Sequence, residues 1–235
     1  MYQFGFKKGH STGLCTNILK HTVNYYSTHG SHVFLCFVDF SKAFDKVNYW
    51  KLLNMLLDDG ISTTLVGLLS FWFSHQEMCI KWNGVISGCF SVGNGTRQGG
   101  VLSPYLFSRY IRGLLQNVAD SHIGCYIGCM AVNILAYADD IVILSPSWRG
   151  LQALIDKLLL CARSIDMACN ARKTVCMVVN PQCRSRVISS SFPLFTLGSS
   201  QLQFVSSFRY LGHILTNTLS DNKDIQCEKK HVFSY

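Results

Sequence analysis

Three carboxylates interrupt the most apolar stretches of this chain, and their placement restricts the folds open to it. The run VFLCFVDF at 33–40 carries Asp39, and ILAYADDIVIL at 134–144 carries Asp139 and Asp140 at its centre. An apolar run without polar alternation suits a strand covered on both faces. Asp is a poor strand residue, and an ionised carboxylate among apolar neighbours is costly unless something compensates it. Adjacent acids flanked by Ile134, Leu135, Ile141, Val142 and Ile143 also repel each other, and a divalent cation is the natural compensation. Hard oxygen donors on few positions, with room left for phosphates, describe a magnesium site. By themselves the acids leave a second reading open: a tight hairpin with a solvated Asp-Asp tip and an unrelated Asp39.

The pattern around the acids predicts an α+β fold. A helix is expected from about Thr12 to Tyr26, followed by the 33–40 strand. Asn48 reads as the N-cap of a helix carrying Leu52, Leu53, Leu56 and Leu57, closed by Gly60. A second helix follows from about Ser62 to Phe73. Hairpin-like segments then lie around Met78–Trp82 and Gly88–Val92, with Asn83-Gly84 as the turn. The loop GNGTRQGG at 93–100 leads to a helix with Ser103 as N-cap and Pro104 at its first position. Two short strands meet at the acid pair. A helix from about Trp148 to Met167, a strand at Val175–Val179 and short strands from Pro193 to Leu215 complete the chain. This order is that of a split βαβ, ferredoxin-like antiparallel sheet with helices on one face.

Charge narrows the partner. Lys and Arg number 21 against 13 Asp and Glu, a net +8 in a chain that is 49% apolar, which points to a polyanion such as nucleic acid. The 11 cysteines include no CxxC pair, so neither a disulfide framework nor a zinc ribbon is indicated. His122, Cys125 and Cys129 come nearest to a metal-ligand cluster, but their apolar surroundings read as core. No apolar stretch is long enough to span a bilayer and no signal peptide opens the chain, so a soluble intracellular protein without a membrane partner is expected.

Five segments, in order from about residue 3 to residue 216, resemble the reverse transcriptases of non-LTR (LINE-type) retrotransposons. They are FVDFSKAFDKV (37–47), GTRQGGVLSP (95–104), YADD (137–140), NARKT (170–174) and YLGH (210–213). The resemblance implies a polymerase palm with partial fingers over residues 1–216, primer-grip strands at 193–216, and a truncated approach to a largely absent thumb over 217–235. It implies an RNA-directed DNA polymerase that extends a primer 3′-hydroxyl with two Mg2+ ions, Mn2+ being a possible substitute. The partners implied are an RNA template, a DNA primer and deoxynucleotide triphosphates, met in cytoplasm and nucleus. A catalytically inactive relic that at most binds nucleic acid is the alternative.

Carried over position by position, the resemblance makes Asp39 and Asp139 direct metal ligands, with Asp140 secondary because strand side chains alternate. Phe40 would offer its backbone to the triphosphate. Phe44 would be a steric gate beneath the sugar, excluding a 2′-hydroxyl by clash. Arg97, Gln98 and Gly99 would line the template and nucleotide pocket, and Lys173 would sit by the leaving pyrophosphate. Tyr210, Leu211 and Gly212 would support the primer end. Lys7, Lys8 and Lys20 would touch template backbone. Asp45 would serve structure, pairing with Lys42 or Lys46.

Overall fold

A run of six apolar residues has no polar face to offer water, and β1 (Val33–Val38) is buried at every position. It is the middle strand of a five-stranded sheet in the computed structural model, which describes residues 2–97, 99–183, 187, 189, 191–220 and 224. Before it comes α1 (Thr12–Thr28), and after it α2 (Tyr49–Asp58), α3 (Thr63–Ser74) and α4 (Ser103–Ala119). The hairpin β2 (Ile134–Tyr137) and β3 (Asp140–Ser145) leads to α5 (Trp148–Ser164) and β4 (Val175–Val179). Short strands follow at β5 (Gln203–Phe204), β6 (Ser207–Tyr210) and β7 (His213–Thr216). The sheet order is β5-β4-β1-β3-β2. The first four strands are antiparallel throughout in the ferredoxin-like arrangement, and β5 adds in parallel to β4.

Because β1 is apolar at odd and even positions alike, both faces of the sheet are covered. Phe34, Cys36 and Val38 pack with α2, α4 and α5 through Leu52, Phe107, Tyr110 and Leu154. On the opposite face Val33, Leu35 and Phe37 meet Cys15, Leu19 and Val23 of α1, together with Tyr210 and Leu215 of the β6–β7 hairpin. Helices α2, α4 and α5 thus lie on one face as expected, but α1, expected with them, closes the other face together with a hairpin.

Local chemistry sets most boundaries. The Asn48 side chain accepts from the Lys51 amide at 3.2 Å and caps α2, and Ser62 caps α3 through the Leu65 amide. Gly60, at φ +79°, ends α2. Asn83 and Gly84, at φ 47° and 80°, turn Lys81–Trp82 back onto Val85–Ile86, as a primed hairpin turn requires. Ser103 differs from expectation. It is already inside the first turn of α4, which has no side-chain cap, and its hydroxyl instead donates to the Arg97 carbonyl at 2.5 Å. Helix α5 stops at Ser164 rather than near Met167, because Asp166 takes φ +57° and its carboxylate is held by Asn48 and Lys51.

Asn133 joins the end of α4 to the start of β2. Its buried side-chain amide donates to the carbonyls of Val118, Ala119 and Ile123, at 3.2, 3.2 and 2.7 Å. Removing it leaves buried carbonyls at the helix end without partners. Asn133→Ala is expected to cost roughly 2–3 kcal/mol, seen as a lower urea midpoint at unchanged slope.

Candidate active site

The register of β1 with its two neighbours fixes where the acids lie. Val38 pairs with Ile141 and Phe37 with Val142, so the next pair in that register is Asp39 with Asp140. Directly opposed residues share a face of the sheet. On the other side the ladder ends at Phe37–Val175, and pairing resumes at Phe40–Cys169, with a turn at 171–173 between them. Asp39 and Asp140 line one cleft of about 280 Å³ with Lys173 from that turn, and its remaining walls include Phe37, Phe208 and Tyr210.

Asp139 lies beside this cleft rather than in its wall. Tyr137 pairs with Asp140, leaving Ala138 and Asp139 as the two residues of a tight turn. Asp139 therefore belongs to no strand, and alternation does not send Asp140 to the far side. Asp140 is the first residue of β3 and lines the cleft with Asp39, on the side of the sheet not expected for it. Partial burial pushes the Asp139 carboxyl above its ordinary value and the charge of Asp39 adds to this, while its own backbone amide opposes it. The Asp140 carboxyl is raised by burial first, then by Asp139 and Asp39. Among the described residues no ion pair neutralises any of the three. Nor are three His, Cys, Asp or Glu side chains gathered closely enough there to hold a metal ion. The donor set itself, carboxylate oxygens alone and uncompensated, suits a hard divalent cation.

Main-chain bonds hold Asp39 from both sides. Its amide donates to Thr174 Oγ1 at 3.2 Å, and its carbonyl accepts from the Asn170 amide at 2.7 Å. The Ser41 amide donates to the Ala168 carbonyl at 2.9 Å. These bonds flank the bridge between Phe40 and Cys169, so the N–H and C=O of Phe40 itself point away from that ladder. Asn170 also folds the NARKT turn, accepting from the Arg172 amide on its side chain and from the Lys173 and Thr174 amides on its carbonyl. The turn presents an exposed Lys173 to the cleft. Of this motif the sequence reading singled out Lys173 alone, although its first and last residues anchor the acid.

A second group forms around Phe44. Its ring stacks on Phe107 at 4.1 Å and 19°, and Phe6 approaches edge-on at 6.4 Å. The Thr96 amide donates to the Phe44 carbonyl at 2.8 Å, and the Gly95 amide to the Val47 carbonyl at 2.9 Å. A side chain on Gly95 would meet Asp45 backbone at 2.9 Å, and its φ is +95°, so glycine is required there. Gly99 has open space around it and needs glycine for its φ of +86° alone. Arg97 is exposed, its carbonyl taking the Gly100 amide and the Ser103 hydroxyl. None of Phe44, Arg97 and Gly99 lines the acid cleft. Gln98 lies outside the described residues. No ion pair forms between Asp45 and Lys42 or Lys46 among the described residues; all three are exposed, where such pairs contribute little.

Tyr210 forms the cleft floor, buried beside Phe37 at 5.5 Å. Leu211 and Gly212, at φ 50° and 89°, are the turn between β6 and β7. Only Cys125 of the former cluster is core, its thiol pushed up to about 12 by burial. His122 and Cys129 are exposed, because Gly124 and Gly128 at positive φ lead the chain outward into a small hairpin. A larger groove of about 660 Å³ is lined by Tyr2, Phe6 and Tyr105 with Lys7, Arg109 and Arg112.

The family described as reverse transcriptase (RNA-dependent DNA polymerase) matches residues 1–215. The Pol polyprotein of the type-2 retrotransposable element R2DM from Drosophila melanogaster is 27% identical over 86% of this chain and 19% of its own length. The RNA-directed DNA polymerase from mobile element jockey of Drosophila funebris is 27% identical over 95% of this chain and 24% of its own length. The chain thus spans less than a quarter of either relative. Among solved structures, apo telomerase from Candida tropicalis, truncated from its C-terminal domain, covers 93% of this chain with 40% of its own, at TM-score 0.57 and 12% identity. That likeness is one of fold.

The raised carboxyls have a consequence for stability. A carboxyl whose folded value lies above its unfolded one favours folding when protonated, and that contribution is lost as pH rises through the folded value. Asp140→Asn should therefore raise the melting temperature of the metal-free chain at neutral pH. The gain should vanish below the ordinary carboxylate value of 3.8. A melting series across acid pH checks both signs.

Proposed function

The chain belongs to the reverse transcriptase (RNA-dependent DNA polymerase) family, and on that premise we propose that it is a module for RNA-templated DNA synthesis of the non-LTR retrotransposon type. The observation that carries this reading is the gathering of Asp39, Asp140 and Lys173 in one cleft at the end of an apolar sheet, with Asp139 on the adjoining turn. Asp39, Asp139 and Asp140 would hold two Mg2+ ions, or Mn2+ in their place. When bound, such ions supply Lewis acidity for an attacking primer hydroxyl and for the leaving oxygen.

The chain's own residues have separate tasks. Lys173, exposed at the cleft, is suited to offset charge on a departing pyrophosphate or to give it a proton. The Phe40 amide, directed away from the Cys169 ladder, is suited to a triphosphate oxygen. Phe44 rejects a 2′-hydroxyl by clash, and Phe107 behind it prevents the ring from yielding. Arg97, Gln98 and Gly99 would serve template and nucleotide, and the Tyr210–Gly212 turn would support the primer end. Lys7 beside the aromatic rings of the larger groove fits a nucleic-acid path, whose affinity would fall with salt; Arg109 and Arg112 in the same groove are already paired with Asp59. Residues 1–216 would form palm and partial fingers, and 217–235 the approach to a thumb; of the latter, 221–223 and 225–235 lie outside the described residues.

Primer extension on an RNA template with Mg2+ and deoxynucleotides tests this reading. The unaltered chain should extend the primer, and Asp139→Ala should lower the rate by more than about a thousandfold without lowering the melting temperature. Extension that survives Asp139→Ala would overturn the reading. Phe44→Val should reduce discrimination against ribonucleotides by on the order of a hundredfold, measured as the ratio of kcat/KM for the two sugar types.

A further inference from the structure

The turn that carries Asp139 is held from outside the sheet, by a residue far away in sequence. Ala138, at φ +57°, sits in the left-handed region, which an alanine enters only at a cost. Both polar groups of its peptide backbone are taken by one side chain. The Ala138 amide donates to Gln3 Oε1 at 3.0 Å, and Gln3 Nε2 donates to the Ala138 carbonyl at 3.2 Å. Gln3 is only 6% exposed. Its Oε1 also accepts from the Gly5 amide at 3.0 Å, which fixes the orientation of the carboxamide, since a flipped nitrogen would face two N–H donors.

The segment that bears Gln3 is itself anchored on β2. The Phe4 amide donates to the Ala136 carbonyl at 2.7 Å, and the Ala136 amide to the Tyr2 carbonyl at 2.8 Å. Gly5 allows the close approach: a Cβ there would lie 2.5 Å from the Ala138 nitrogen. Gln3 thus has a rigid base, and the strained turn has a clamp reaching both sides of one residue.

We infer that Gln3 is a positioning residue for the acid pair, holding the Ala138 peptide so that Asp139 and Asp140 stay directed at Asp39 despite their mutual repulsion. It touches neither nucleotide nor metal and acts through the turn. The assignment of chemistry to these acids rests on the polymerase reading above, but the clamp is a property of the folded chain and can be measured without it.

Gln3→Met tests the inference, because methionine keeps length and apolar burial while removing both bonds to Ala138. In the metal-free chain, amide exchange in the peptide spanning 134–144 should quicken by on the order of tenfold at Ala138 and its neighbours. In extension assays the Mg2+ concentration at half-maximal rate should rise several-fold while the KM for deoxynucleotide stays near that of the unaltered chain. Phe4→Leu, which disturbs the same segment without touching Ala138, is the control for general loosening. Unchanged exchange in Gln3→Met overturns the inference, as does an equal Mg2+ shift in Phe4→Leu. If Gln3→Met does not melt cooperatively, Gln3→Glu decides. It keeps an acceptor for the two amides but turns an oxygen toward the Ala138 carbonyl, so exchange should quicken there, and an unaltered rate sinks the inference. Should the unaltered chain fail to extend any primer, the polymerase reading falls while the exchange result still judges Gln3.

Discussion

The repulsion among Asp39, Asp139 and Asp140 is the constraint against which the rest of the molecule is built. Two like charges 4 Å apart repel by about 4 kcal/mol at the effective dielectric of a protein surface. Burying six apolar side chains along β1 contributes on the order of 10 kcal/mol toward holding the acids in place. The sheet must also keep them from shifting. Both faces of β1 are apolar and covered, so a slip of one residue would exchange one apolar face for the other, and burial alone does not forbid it. The register that sets Asp39 beside Asp140 is held by the fit of particular side chains in each cluster and by the main-chain ties on Asp39.

Around that register, position is fixed mainly by backbone rather than by side-chain contacts. Asp39 is gripped through its own amide and carbonyl, by Thr174 and Asn170. The acid turn is gripped at the peptide of Ala138, and the loop before α4 is tied to Phe44 through the Thr96 amide. Such ties leave the carboxylates and the lysine unpaired among the described residues, and able to respond to an incoming cation or phosphate. Preorganised backbone with unspent side chains is the arrangement that electrostatic catalysis needs.

Features that depend on neighbours in the chain were readable from residue types. The apolar run of β1, the Asn48 cap, the Asn83-Gly84 turn and the order of strands and helices all follow from periodicity and turn chemistry. The three acids were legible as candidates from their apolar setting, and the remaining site residues through the resemblance of five motifs, which gave identity but not orientation. Asp140 was placed on the wrong side because alternation was applied across a residue that lies in the turn. Ser103 looked like a cap because the pattern is the same whether its hydroxyl serves its own helix or the preceding loop. His122 and Cys129 looked like core, since two glycines at positive φ leave no mark on local hydropathy. The Gln3 clamp bridges 135 residues, and no local pattern encodes a bond between segments that far apart.

The aromatic column of Phe6, Phe44 and Phe107 links the core to the proposed choice of sugar. A ring can exclude a hydroxyl only if displacing it costs more than the clash it imposes. Phe107 is fully buried on α4, in the same core cluster as Tyr110 and the α5 residue Leu154, and Phe44 rests flat against it. Pushing Phe44 aside would open space against a close-packed interior, where a gap of even one methylene is felt. On the outer side Phe6 is half-exposed and meets the ring only by its edge, leaving that side of the column open to solvent. Sugar discrimination in this chain would then draw its firmness from the packing of α4 against α5 rather than from any contact within the nucleotide pocket itself.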